Sequence, residues 1–127
     1  YKTKKGGHKI VVSSILDSIK AQLGYGESTD YDTELIIFIN TVFSVLNQLG
    51  AGPAAFSITS STETWSQFLG ERKDLEFIKS YIFLKVKLMF DPPSNSFLVD
   101  AIKNQISELE FRILTQVTPV VEEPTTP

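Results

Sequence analysis

Few residues of this chain could do chemistry, and none stands in a catalytic or metal-binding pattern. The 127-residue sequence holds one histidine, His8, and no cysteine. It therefore offers no pair of histidine ligands, no thiolate metal site and no cysteine nucleophile. A Ser/His/Asp triad would require His8 to be held rigidly in a cleft. Because His8 lies among lysines and glycines, we expect no triad.

Two other patterns have simpler explanations than chemistry. Asp30 and Asp32 could form a carboxylate pair, but they directly precede a helical pattern, where acidic residues cap the helix and complement its dipole. The segment Gly24-Tyr25-Gly26 lacks both the spacing of a phosphate-binding loop and a preceding strand. The sequence therefore predicts a protein that is not an enzyme and that uses no cofactor and no metal.

Helical periodicity predicts an all-α fold, a small bundle with three long helices and one or two short ones. We expect long helices over residues 32–49, 72–90 and 95–114, and short ones over 13–23 and 63–69. Ser13 or Ser14 would cap the first helix, and Asp30 or Asp32 the second. Gly50 follows the second helix, where a left-handed residue ends it. Ser60 or Thr62, with Glu63, would cap the short helix at 63–69, whose Trp65 and Phe68 are expected to plug the open end of the bundle.

The helix predicted over residues 72–90 is apolar around an arc of about 200°, too wide for one neighbour. Its apolar residues form two stripes: Leu75, Ile78, Ile82, Val86 and Met89 in the first, and Phe77, Tyr81, Leu84 and Leu88 in the second. We expect one stripe to pack internally and the other to contact a neighbouring molecule. Lys85 projects between them, so its ammonium should either pair with a carboxylate or reach the surface.

Asp91, Pro92 and Pro93 form a structural corner, because two consecutive prolines remove backbone donors and disfavour helix before them. Ser94 or Asn95 can then cap the last helix. This corner should set the angle between the two helices and take no part in chemistry. The core stripe expected for the last helix consists of Leu98, Val99, Ile102, Ile106, Leu109 and Ile113.

The two ends of the chain differ from the helical domain in composition. Residues 1–12 form an arm with four lysines and no acid, residues 13–114 the helical domain, and residues 115–127 a proline-rich tail. We expect both the arm and the tail to be extended, and the arm to be flexible. The whole chain carries a net charge of −3 although the arm contributes four positive charges. The helical domain must therefore be acidic. An acidic body disfavours binding to duplex DNA, which depends on phosphate neutralisation.

The segments FINTVFSVLNQLG and LKVKLMFDPPSNSFLVDAIK give the chain a recognisable pattern. Residues 14–114 resemble the small head–tail connector (adaptor) proteins of tailed bacteriophages with long tails. The resemblance implies a structural virion protein at the neck, present in the host cytoplasm during assembly and not associated with membranes. It also implies a ring, typically a dodecamer, beneath the portal protein. Such a ring continues the DNA channel and provides a platform for a stopper, head-completion or tail-completion protein.

Candidate contact residues follow from the apolar pattern and from this resemblance. A closed ring needs two different patches on each subunit, and apolar residues on polar faces or on the second stripe could supply them. The candidates for the subunit interface are Ile37, Phe77, Tyr81, Lys85, Phe97 and Phe111. In the tail, the candidates for docking on the portal are Val117, Pro119, Val120, Val121 and Pro124. Genomic DNA would pass through an acidic channel without being bound sequence-specifically.

The alternative is a small helical DNA-binding or regulatory module, such as the small subunit of a phage terminase. In that case the basic arm would contact phosphates. No helix of the sequence is rich in arginine and lysine as a recognition helix would be, which weighs against this alternative.

Overall fold

Five α-helices and one 3₁₀ turn make up residues 13–117, the part of the chain that the computed structural model describes. In chain order they are α1 (Ile15–Leu23), α2 (Asp32–Leu49), α3 (Trp65–Leu69), the 3₁₀ turn Lys73–Leu75, α4 (Ile78–Phe90) and α5 (Ser96–Val117). Within this range there is no strand, only an isolated antiparallel bridge between Ser14 and Thr64. The prediction of an all-α small bundle is confirmed.

Local signals set the start of α1 and the end of α2 as expected. The Ser14 hydroxyl accepts a hydrogen bond from the Asp17 N–H at 3.1 Å and caps α1. Gly50 ends α2 in the left-handed region at φ 89°, where a residue with a Cβ would be strained. The N-cap of α2, however, is Tyr31, which makes no side-chain cap hydrogen bond. The prediction of an aspartate cap there was wrong.

Asp32 instead forms an ion pair with Lys20. The Lys20 Nζ lies 2.9 Å from Asp32 Oδ1, and the lysine side chain is only 1% exposed. A buried ammonium is costly unless a negative charge lies close to it. The pair therefore fixes the first turn of α2 against the last turn of α1, which sequence periodicity does not reveal.

The loop before α3 is organised by Glu63, although not as a helix cap. Its carboxylate accepts hydrogen bonds from the Thr59 N–H and hydroxyl at 2.9 and 2.8 Å, and from the Ser60 N–H at 3.2 Å. Slight burial works in the opposite direction, but these hydrogen bonds lower the pKa of Glu63 below its ordinary value. The capping box of α3 is formed by Thr64 and Gln67. The predicted caps at Ser60 and Thr62 were therefore wrong, because Glu63 closes the preceding turn.

Three aromatic rings fill the end of the bundle below α3. The ring centroids of Phe43, Phe56 and Phe68 lie 4.8–5.2 Å apart, in the tilted and edge-on arrangements that aromatic pairs prefer. Gly52 approaches the Phe68 ring so closely that a Cβ there would overlap it. Trp65, three residues before Phe68, is also buried and donates its indole N–H to the Ser18 hydroxyl at 2.8 Å. Trp65 and Phe68 thus belong to the core, as predicted.

Helix α4 lies at the centre of the molecule and packs against α1, α2 and α5. Both of its apolar stripes are used within the protomer, because α5 turns back along α4 after the corner. The residues of α4 that are fully buried come from both stripes: Ile78, Tyr81, Ile82 and Val86. Of the second stripe only Tyr81 is fully buried, so a contact between the partly buried Phe77, Leu84 or Leu88 and a neighbouring molecule stays a prediction.

The proline corner separates α4 from α5 as predicted. The Lys87 ammonium donates to the Asp91 carbonyl at 3.3 Å and lies 4.0 Å from its carboxylate. The Asn95 side chain caps α5 by accepting from the N–H groups of Phe97 and Leu98 at 2.7 and 3.3 Å. Of the two predicted caps, the structure therefore uses Asn95.

Helix α5 continues to Val117, three residues past its predicted end at residue 114. Val117 follows Ile113 by four residues and packs against the core near Gly50. The helix extends because this contact adds another apolar residue to the stripe. Pro119 disfavours helical backbone at the residue before it. The predicted boundary was therefore wrong, and residues 115–117 belong to the helical domain.

Candidate functional site: assembly surfaces

The outer face of α5 carries two exposed phenylalanines. Phe97 is 83% exposed and Phe111 is 68% exposed. At 100° and 1.5 Å per residue, they project within about 40° of each other and lie about 21 Å apart along the helix. Both point away from the buried stripe at Ile106 and Ile113. We call the surface formed by Phe97, Phe111 and the neighbouring exposed Leu114 the α5 face.

The first turn of α5 adds Leu98, which was predicted to be a core residue and is 55% exposed. The core prediction was wrong because α4 ends at Phe90, so the chain offers little to cover the start of α5. Val99 and Ile102 are only partly buried. The first buried side chain of α5 is Ile106, at the point where α4 lies beside the helix.

Two further exposed apolar side chains lie on α2 and just before it. Ile37 is 57% exposed on the outer side of α2. At the start of α2, the rings of Tyr25, Tyr31 and Phe90 lie 5.3–5.5 Å from one another in edge-on contacts, and Tyr31 is 42% exposed. We call Ile37 and Tyr31, with the rings that support Tyr31, the α2 face. Tyr31 was not predicted, because a single tyrosine before a helix carries no periodic signal.

Tyr81, predicted to be an interface residue, is completely buried. Its hydroxyl donates a 2.7 Å hydrogen bond to the Glu110 carboxylate. Burial, this hydrogen bond and the glutamate charge raise the pKa of Tyr81 above its ordinary value, so the hydroxyl stays protonated and remains a donor. Tyr81 thus joins α4 to α5 within one protomer, and the interface prediction for it was wrong.

Phe77 and Lys85 are partly buried. The Phe77 ring is covered by the Arg112 guanidinium, whose centre lies 4.6 Å from the ring centroid. The Lys85 ammonium lies 5.9 Å from the centroid of the Tyr81 ring, with no carboxylate at ion-pair distance among residues 13–117. Of the two predictions for Lys85, the structure favours a side chain that reaches the surface.

Lys85 lines a groove between α4 and α5 with a volume of about 390 Å³. The groove is bordered by Lys85, Leu88, Met89, Lys103, Ile106 and Ser107. Its floor is therefore apolar and its charged groups are both cationic. We call it the α4–α5 groove.

The described residues contain no arrangement that suggests catalysis or metal binding. In residues 13–117, no group of three or more His, Asp or Glu side chains could hold a metal ion. None of the helices that the structure describes is long and apolar enough to span a bilayer. The described residues instead offer exposed apolar side chains on α2 and α5 and the groove between α4 and α5.

Part of the predicted contact set lies outside the described residues. Outside the described residues lie the arm at 1–12 and four tail residues of the predicted set: Pro119, Val120, Val121 and Pro124. Val117, predicted to be a docking residue of the tail, lies at the end of α5.

A small helical bundle that exposes apolar side chains on α2 and α5 is of the kind expected for an assembly protein. The comparison with known families is consistent with this class. The family described as phage connector protein matches residues 15–119, most of the chain. The chain belongs to this family, which confirms the resemblance seen in the sequence. Membership indicates a virion component with a head–tail connector role, in a structural family and not an enzyme family, and it favours the connector over the terminase-like module.

Neither the search of curated proteins nor the search of solved structures found a match.

Proposed function

We propose that this protein forms a closed ring, typically a dodecamer, at the neck of the virion beneath the portal protein. The observation that carries the proposal is the α5 face, where Phe97 and Phe111 are exposed on one side of a helix in a member of the phage connector family. The ring continues the channel for genomic DNA and presents a platform for a stopper or tail-completion protein.

The contact between neighbouring subunits joins two different surfaces. A ring is built from heterologous contacts, and the α5 face and the α2 face are the two exposed apolar surfaces just described. In this arrangement Phe97 and Phe111 of one subunit pack against Ile37 and Tyr31 of the next. Fully burying each phenylalanine would contribute about 1.5–3 kcal/mol, and ring contacts with Tyr31 would add to this.

The tail attaches the ring to the portal in this proposal. Since residues 115–117 are helical, the attaching segment begins after Val117 and includes Pro119, Val120, Val121 and Pro124. Prolines restrict the unbound chain, so such a segment is ordered on a partner at a lower entropic cost. Extended at about 3.3 Å per residue, the ten residues reach about 33 Å. This is enough to cross onto another protein.

The test of the ring is an assembly experiment with the portal protein. Purified full-length chain, with and without portal, is examined by electron microscopy and sedimentation. We expect rings on the portal for the unchanged chain, and at least a tenfold weaker association for the double variant Phe97→Ser/Phe111→Ser. The matched control is Gln105→Ala, an exposed change on a different side of the same helix, which should assemble normally. Normal rings from the double serine variant would exclude the α5 face as the subunit contact.

The attachment by the tail is tested separately. A chain that ends at Val117 should keep the helical circular dichroism spectrum of the full chain and bind the portal more weakly. If it binds the portal as tightly as the full chain does, the tail is not the attachment.

A further inference from the structure

The α4–α5 groove combines an apolar floor with two cationic side chains. Leu88, Met89 and Ile106 border it with apolar atoms, and Met89 is 38% exposed. Lys85 and Lys103 border the same groove. A groove of this kind suits a short extended segment that presents apolar side chains next to negative charges.

The positive charge of the groove is not neutralised within the described part of the protomer. Helix α4 contains three lysines and no acidic residue. Lys79 pairs with Glu76 and Lys87 lies near Asp91. By contrast, neither Lys85 nor Lys103 has a carboxylate within 4.0 Å among residues 13–117. These two ammonium groups therefore remain available to an anionic partner.

The sequence that follows α5 has the complementary order of residues. After Val117 the chain reads Thr-Pro-Val-Val-Glu-Glu-Pro-Thr-Thr-Pro. It places the apolar pair Val120-Val121 directly before Glu122-Glu123, the only two adjacent acidic residues in the chain. Both pairs stand between Pro119 and Pro124, which favour extended backbone.

We propose that residues 118–127 of one copy occupy the α4–α5 groove of a second copy. Val120 and Val121 cover the floor at Met89 and Ile106, while Glu122 and Glu123 pair with Lys85 and Lys103. This contact does not depend on the portal or on the connector role, since it uses only features of this chain. The tail then leaves the groove when it attaches to the portal, so the two contacts compete.

The reach of the tail favours a second copy over the same molecule. Ile106 lies eleven residues before Val117, about 16 Å along α5 at 1.5 Å per residue. Val120 and Val121 lie three and four residues beyond Val117, so they reach only about 10–14 Å even when fully extended. To fill its own groove the tail would also have to reverse direction at the end of α5. The groove of a second copy imposes neither condition.

The first experiment cross-links the unmodified full-length chain without portal. A zero-length carbodiimide reagent joins carboxylates to amines that are in contact. Equal amounts of ordinary and ¹⁵N-labelled chain are mixed, and the cross-linked peptides are identified by mass. We expect Glu122 or Glu123 joined to Lys85 or Lys103, with peptides that carry one label of each kind. Peptides with matched labels only would place the tail in its own groove and overturn the proposal, and so would cross-links confined to the lysines of the arm.

The second experiment uses charge reversal and complementation. The groove variant is Lys85→Glu/Lys103→Glu, and the tail variant is Glu122→Lys/Glu123→Lys. Each alone should associate with itself at least tenfold more weakly than the unchanged chain, by sedimentation at low salt. An equimolar mixture should recover association, because each tail again meets a groove of opposite charge. The control Lys73→Glu/Lys79→Glu changes the charge equally at another surface and leaves both groove and tail intact, so it should associate with itself as strongly as the unchanged chain.

A mixture that remains unassociated, while both variants keep the helical spectrum of the unchanged chain, would overturn the proposal. If the groove variant fails to fold, the cross-linking result on the unchanged chain decides. Failure of either experiment would leave the ring contact through the α5 face untouched, because no residue of that face is altered.

Discussion

Helices α2 and α5 are of similar length but face different surroundings. The 18 residues of α2 bury five apolar side chains: Leu35, Ile39, Val42, Phe43 and Leu46. The 22 residues of α5 bury only Ile106, Leu109 and Ile113. Helix α5 also leaves Phe97, Leu98, Phe111 and Leu114 exposed.

We infer from this difference that the two helices have different tasks. The apolar residues of α2 lie mainly on one face, and the protomer buries five of them. Those of α5 lie on two faces, and the protomer covers only one. Exposed phenylalanines lower the solubility of a protein and add little to the stability of its monomer. We therefore expect a partner to cover the outer side of α5, whereas the buried stripe of α2 stabilises the protomer.

The largest contrast between the helices should come from exchanging phenylalanine for alanine on each. Phe43→Ala removes a buried ring from the aromatic cluster and should lower the free energy of unfolding by about 3–5 kcal/mol. Phe111→Ala should change it by no more than about 0.5 kcal/mol while weakening assembly. Denaturant unfolding of the monomer and sedimentation measure the two effects. Equal losses of stability would contradict the division of tasks.

Tyr81 tests the contact that attaches α5 to the core. Tyr81→Phe keeps the ring but leaves the Glu110 carboxylate without its donor, which should cost about 1.5–2 kcal/mol of unfolding free energy. The control is Tyr25→Phe, since the Tyr25 hydroxyl has no hydrogen bond to any residue that the structure describes. If both variants unfold at the same denaturant concentration, the hydrogen bond does not hold the two helices together.

The corner determines how α5 is presented to a partner. Replacing Pro92 and Pro93 with alanine should lower stability by about 1 kcal/mol, because the unfolded chain gains freedom. It should also weaken ring formation, since the angle between α4 and α5 is less restricted. Thermal unfolding and electron microscopy test this expectation, and a variant with normal stability and normal rings would contradict it.

The smallest effect concerns the loop that joins α2 to α3. The pKa of Glu63 is lowered in the folded state, so its ionised form stabilises the protein. That contribution is present above the ordinary value of 4.5 and is lost as the pH falls through the folded value. Glu63→Gln should therefore cost less than about 1 kcal/mol at pH 7, given screening by solvent.

The difference between Glu63→Gln and the unchanged chain should shrink as the pH falls below about 4.5. Glu71→Gln, at an exposed position, is the control. A difference that is independent of pH would show that Glu63 acts through packing and not through its charge.

The sequence by itself determined the features that depend on neighbours in the chain. The bounds of α2 were predicted as residues 32–49 and observed as such, because an apolar stripe and a following glycine are local signals. The Ser14 cap and the break at Pro92-Pro93 are local for the same reason. The family pattern was also visible in the sequence, since it consists of the order of these helices.

Only the tertiary structure decided which apolar residues remain exposed. Tyr81 and Leu98 both carry apolar surface on helices, yet Tyr81 is buried and Leu98 is open. The difference is that α5 returns along α4 at Tyr81, while the described chain leaves more than half of Leu98 exposed. For the same reason, the sequence did not predict the Lys20–Asp32 ion pair or the last turn of α5. Each depends on a contact between segments distant in sequence, and periodicity within one helix contains no information about which helix lies beside it.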